Sequence, residues 1–140
     1  MESNVNTLYR LHDSSITWIS ELEFMKDEQV FIEHLLSKHF LDLSSEKLYE
    51  STRKLIRKLK EVELSGEELL KKVRSHNEKI ATAIEKVKQN SERDLVKDHM
   101  SIGKDFENLT LNFRYVKKKI FTLIKKIMIH HKQKLLINKQ

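Results

Sequence analysis

SERDLVKDHMSIGKDFENLTLNFRYVKKKIFTLIKKIMIHHKQKLLI, residues 91–137, is the stretch that decides the fold. Leu95, Ile102, Leu109, Val116, Leu123, His130 and Ile137 recur at every seventh position, and His99, Phe106, Phe113, Ile120, Ile127 and Lys134 interleave with them. Such a repeat lays one mostly apolar stripe along an α-helix that winds slightly around its neighbours. Five or six heptads without a stutter predict a single helix about 65–70 Å long at 1.5 Å per residue.

The preceding stretch follows the same rule. Leu48, Leu55, Val62, Leu69, His76 and Ala83 form one register, and Thr52, Leu59, Gly66, Val73, Ile80 and Val87 the other. In the first stretch the two registers are Leu8, Ser15, Leu22, Gln29, Leu36 and Leu11, Trp18, Met25, Ile32, His39. Ile16, Ile19, Phe24, Phe31 and Leu35 widen that apolar stripe, which predicts a helix touching two neighbours.

Turn-type residues occur in Leu41-Asp42-Leu43-Ser44-Ser45 and Gln89-Asn90-Ser91-Glu92, where Ser44 or Ser45 and Asn90 or Ser91 are candidate N-caps. The prediction is one all-α domain over residues 1–140, with helices at about 7–39, 45–89 and 92–137. Short connections make consecutive helices antiparallel, so the expected architecture is an elongated up-down-up three-helix bundle with coiled-coil-like packing. Folding back near residues 40–44 and 90–91 sets Trp18 level with Gly66 and Val116, suggesting that the glycine makes room for the indole. Ser65 and Glu68 have capping-box spacing, but Val62 and Leu69 keep one register across Gly66 and favour a continuous helix.

Composition excludes several chemistries. The 140 residues contain no Cys, which removes disulfides, thiol nucleophiles and Cys-ligated metals, and no Pro. The two glycines, Gly66 and Gly103, lie too far apart to build a phosphate-cradling loop. The opening Met1 to Asn6 has neither a basic nor an apolar leader region, so the expected address is the cytoplasm.

In this layout the first helix is shorter than the other two, leaving residues 78–104 as a two-helix arm. Its apolar residues Ile80, Ala83, Ile84, Val87, Leu95, Met100 and Ile102 form the candidate interaction surface. The N-terminal residues, a partner protein or a second copy should pack there, and a homodimer is the expectation.

Charge is uneven. Residues 7–40 hold six acidic against three basic side chains, whereas residues 114–140 hold nine basic and none acidic. Arg114, Lys117, Lys118, Lys119, Lys125, Lys126, Lys132 and Lys134 form the candidate basic surface. An anionic membrane surface, nucleic acid and a partner groove are the ligands such a helix suits. The plainer reading packs its apolar residues on the first helix and sets its lysines beside Glu21, Glu23, Asp27, Glu28 and Glu33. Arg114 is the only arginine in the segment, which disfavours sequence-specific reading of nucleic acid.

Seven histidines raise the question of metal binding, but no Glu-x-x-His or His-x-x-x-His occurs to converge ligands on one helix face. His39, His76, His99 and His130 instead fall on seam positions, where buried imidazoles hold hydrogen-bond partners or loosen the seam on protonation. Leu11-His12-Asp13-Ser14-Ser15 groups hydroxyl, imidazole and acid in sequence, but the side chains diverge around a helix, and Asp13 or Ser14 reads as a cap.

The opening Leu11-His12, Trp18, Glu21-Leu22-Glu23-Phe24 and Asp27-Glu28, followed by two long helices, resembles small uncharacterised helical-bundle proteins of Bacteroidota-type bacteria. The resemblance implies a cytoplasmic bacterial bundle and carries no activity. The expected function is a non-enzymatic interaction or scaffold module, homodimeric or protein-binding, with no cofactor, metal or small-molecule substrate. The alternative is peripheral binding to anionic membrane or nucleic-acid surfaces through the basic last helix.

Overall fold

A computed structural model describes residues 2–86 and 89–138, with side chains described over 5–86 and 92–138. Three long helices, α1 (Glu2–Lys38), α3 (Tyr49–Lys86) and α4 (Gln89–Asn138), pack against one another, with a single-turn α2 (Phe40–Leu43) between the first two. Among the described residues there is no strand. The heptad seams are the reason: Leu22, Met25 and Ile32 of α1, Leu59, Val62 and Val73 of α3, and Ile102, Val116 and Ile120 of α4 are buried in one continuous core. The polar interruptions of the first seam, Ser15 and Gln29, are buried as well.

Three boundaries differ from the expected ones. α1 starts at Glu2 and runs straight through Asp13 and Ser14, which are therefore interior positions and not caps. The stretch 41–45 is not simply a turn, because Leu43 is buried and draws one helical turn back onto the core, closed by Leu43 and Ser44 amides donating to the His39 and Phe40 carbonyls. The Ser45 carbonyl then accepts from the Leu48 and Tyr49 amides, which starts α3 later than the sequence suggests. At the other end α4 begins at Gln89, so Asn90 and Ser91 lie inside the helix and not at its cap; their side chains fall outside the described residues.

These shifts slide the register. Asn77 lies opposite His12, Asp105 opposite Lys72, and Lys117 opposite Glu28. Trp18 accordingly sits not at Gly66 and Val116 but on Gly103, where an added Cβ would stand 3.5 Å from the indole Cζ2. Gly66 faces Leu109 within a continuous α3. Ile16, Phe24 and Phe31 do not widen the buried stripe of α1; they are exposed, and only Ile19 and Leu35 of that group pack partly against the core.

Candidate interaction surfaces

The hairpin end formed by α3 and α4 is not bare. With the register slid, Leu8 and Leu11 of α1 reach it and pack with Ile80, Ala83, Ile84 and Leu95 in a small second core. Ile102 is buried in the main core. Of the seven residues of the expected arm only Met100 is exposed, and Val87 lies outside the described residues. The surface from which a dimer was expected is thus covered by the chain's own first turns. The physical reason is the slid register, which sets His12 against Asn77 and so carries Leu8 and Leu11 onto Ile80, Ala83 and Ile84.

Between the two cores lies a polar layer. His76, on a seam position of α3 and 4% exposed, shares a 3.0 Å hydrogen bond with His99 of α4 through Nε2 and Nδ1. The other nitrogen of His99, Nε2, lies 3.0 Å from the Ser14 hydroxyl of α1, and the Trp18 indole stacks on the His99 ring at 4.2 Å. His12 joins α1 to Asn77 of α3 at 2.8 Å just beside it. An N···N hydrogen bond needs one donor and one acceptor, so the pair is satisfied when both rings are neutral and broken when both are protonated. Burial, reinforced by the neighbouring His76, pushes His99 down to about 4. His76 is also lowered, by burial first, with Asp98 opposing and Lys79 adding to the shift. Seam positions of His76 and His99 were legible in the sequence; the participation of Ser14 was not, because it depends on the parallel register of α1 and α4. His39 is half-buried at the end of α1, and His130 is exposed.

Chemically, hydroxyl, imidazole and imidazole in a chain could pass a proton, and the Trp18 indole covers one face of the His99 ring. The larger grooves are lined by other residues. One of about 410 Å³ runs between α1 and α3 past Phe40, Tyr49, Thr52 and Ile56. At its rim Glu33 is raised by burial and by Glu63, with which it hydrogen-bonds. Ser15 Oγ and Thr52 Oγ1 are buried without a hydrogen-bond partner. No group of three or more His, Cys, Asp or Glu placed to hold a metal occurs among the described residues.

The last third of α4 presents two faces. Val116, Ile120, Ile124 and Ile127 point into the core, as the seam requires. Phe121 and Met128 do not join them: both are exposed, together with Ile129, Leu135, Leu136 and Ile137. The seam ends at Ile127 because α1 and α3 do not reach further, and α4 continues past them; His131 touches Asp42 of α2 at 2.9 Å near this limit. Of the eight basic candidates, Lys117 alone forms an ion pair among the described residues, with Glu28 at 2.8 Å, and Lys119 lies over the Tyr115 ring. The expected pairing of lysines with the acids of α1 is therefore realised once; Glu23 turns instead to Arg74 of α3 at 2.7 Å. Lys118, Lys125, Lys126, Lys132, Lys134 and Arg114 are exposed. No helix among the described residues is long and apolar enough to cross a membrane.

The exposed apolar line was the signal missed in the sequence. Phe121, Met128 and Leu135 repeat every seventh residue, as do Ile129 and Leu136, in registers outside the core seam. No family model matches this chain, and neither a curated protein nor a solved structure is found similar to it.

Proposed function

We propose that this chain is a non-enzymatic helical interaction module in which the bundle is a rigid carrier and the outer end of α4 is the contact surface. The observation that carries the reading is the concentration there of outward apolar side chains, Phe121 to Ile137, among nine basic and no acidic side chains over residues 114–140. Exposed apolar residues gathered beyond a completed core mark contact sites, since leaving them in water forgoes burial worth about 25 cal/mol per Å². A homodimer formed through this surface would press like charges together, which favours an acidic counterpart over a second copy. A cytoplasmic bacterial setting, implied by the resemblance of the opening residues, belongs to the same proposal.

Photo-crosslinking from single positions in the producing cell tests the reading. A photoreactive residue at Leu136 should yield adducts, while one at Leu64, which is exposed on α3, should yield few. Adducts from Leu64 with none from Leu136 would contradict it.

A further inference from the structure

We infer that the surface at the end of α4 docks on anionic lipid bilayers, lying along the headgroup boundary with its lysines against lipid phosphates. This rests on the reading of α4 as the contact surface and names its counterpart. Three observations carry the assignment, the first two favouring a bilayer over an acidic protein. Lys118, Lys125 and Lys132 form one line along the helix, flanked by Phe121, Met128 and Leu135 on one side and Ile129 and Leu136 on the other. Apolar bodies beside long amphipathic lysine stems suit an interface where the stems lie along the acyl boundary while the ammonium groups stay among headgroups.

The second observation is the shape of the tip. Leu135, Leu136 and Ile137 are 62%, 58% and 69% exposed. Successive helical residues turn by about 100°, so these three cover more than half the circumference of a protruding helix. A fluid bilayer interface can surround such a tip, whereas a flat protein face would leave part of it wet. Phe40 and Leu41, also exposed, join it at the same end, next to the His131–Asp42 contact.

The third is the sign of the charge. No Asp or Glu follows Glu107, so no carboxylate on this stretch would be carried against lipid phosphate. Phe121 to Ile137 spans about 24 Å at 1.5 Å per residue, enough to lie along a surface. The lysine content keeps it from qualifying as a crossing helix, and none of the described helices does.

Sedimentation of the full chain with vesicles tests the inference. Phosphatidylcholine vesicles containing one third phosphatidylglycerol should bind it at about 0.1 M salt, and binding should fall steeply as salt shortens the screening length. Pure phosphatidylcholine vesicles should bind it weakly. Lys118→Gln, Lys125→Gln and Lys132→Gln together should weaken binding about a hundredfold, at roughly fivefold per charge. Leu135→Ser with Leu136→Ser should weaken it about a hundredfold, the low end for burying two leucine side chains. All five side chains are exposed, so helicity and melting should be unchanged, which separates lost docking from lost folding. No sedimentation with anionic vesicles at low salt, or equal sedimentation with pure phosphatidylcholine, would overturn the inference. Protein adducts from Leu136 without vesicle binding would overturn the lipid assignment while leaving the contact surface standing.

Discussion

Gly103 and Gly66 each leave a helix without a side chain where a methyl group fits. At Gly103 the added Cβ would meet Trp18 at 3.5 Å, and at Gly66 it would meet Leu109 at 3.8 Å, both ordinary packing distances. Removing glycine from a helix interior gains about 1 kcal/mol through backbone entropy, so Gly66→Ala and Gly103→Ala should each raise stability by about that amount in denaturant melts. A loss at Gly103 would mean that the indole sits closer than described. His99 gives the residue scale its pH dependence. Its folded value near 4 lies below the ordinary imidazole value of 6.5, so the folded state holds fewer protons than the unfolded chain between those limits. The stabilisation is complete above pH 6.5 and is lost as pH falls toward 4; His76, shifted the same way, adds to the slope. Melting temperature should therefore fall between pH 6.5 and 5, where carboxylates contribute little, and His99→Asn should flatten that fall. A flat wild-type profile over this window would contradict the neutral pair.

At the scale of elements, the fate of α1 governs how the hairpin end is used. Leu8 is buried against Ile80, Ala83 and Leu95, and no other described residue of α1 besides Leu11 joins that small core. Leu8→Ala should cost about 2 kcal/mol, at the low end for a buried leucine because a helix end can partly collapse around the gap. Hydrogen exchange over residues 78–86 should speed up with it, and unchanged exchange there would mean that α1 does not seal the hairpin. Much of this element layout was legible from the heptads. Leu8, Ser15, Leu22, Gln29 and Leu36 are all buried, even though two are polar, because seam geometry overrides side-chain type at single positions. What was not legible is register. A one-turn α2 and an earlier second turn moved every level by about a turn or two, which exchanged Gly66 for Gly103 beneath Trp18 and hid the contact of Ser14 with His99. Heptads specify a face but not an axial offset, and the offset depends on how many residues each connection consumes. The outward line of Phe121, Met128 and Leu135 was present in the sequence, yet only the reach of α1 and α3 decides where burial stops.

For the whole molecule, the consequence is a rod with unlike ends. The end near the hairpin is closed by α1 and tied by the layer of Ser14, His76 and His99, while at the other α4 continues alone with apolar and basic side chains outward. Charge is uneven as well: residues 114–140 carry nine basic and no acidic side chains, and the acidic stretch of α1 meets them where Glu28 pairs with Lys117. Such an arrangement places the proposed contact surface where binding need not disturb the core. It also makes local stability uneven, since a helix beyond its neighbours has only its own hydrogen bonds to resist opening.

Residue-resolved amide hydrogen exchange of the dilute protein at neutral pH tests this account most directly. The account expects strong protection over residues 8–14 and 95–127 and near-complete exchange within seconds over 132–138. Exchange of 8–14 as fast as that of 132–138 would contradict it, because the hairpin end would then be open and the arm, not the tip of α4, would be the free surface.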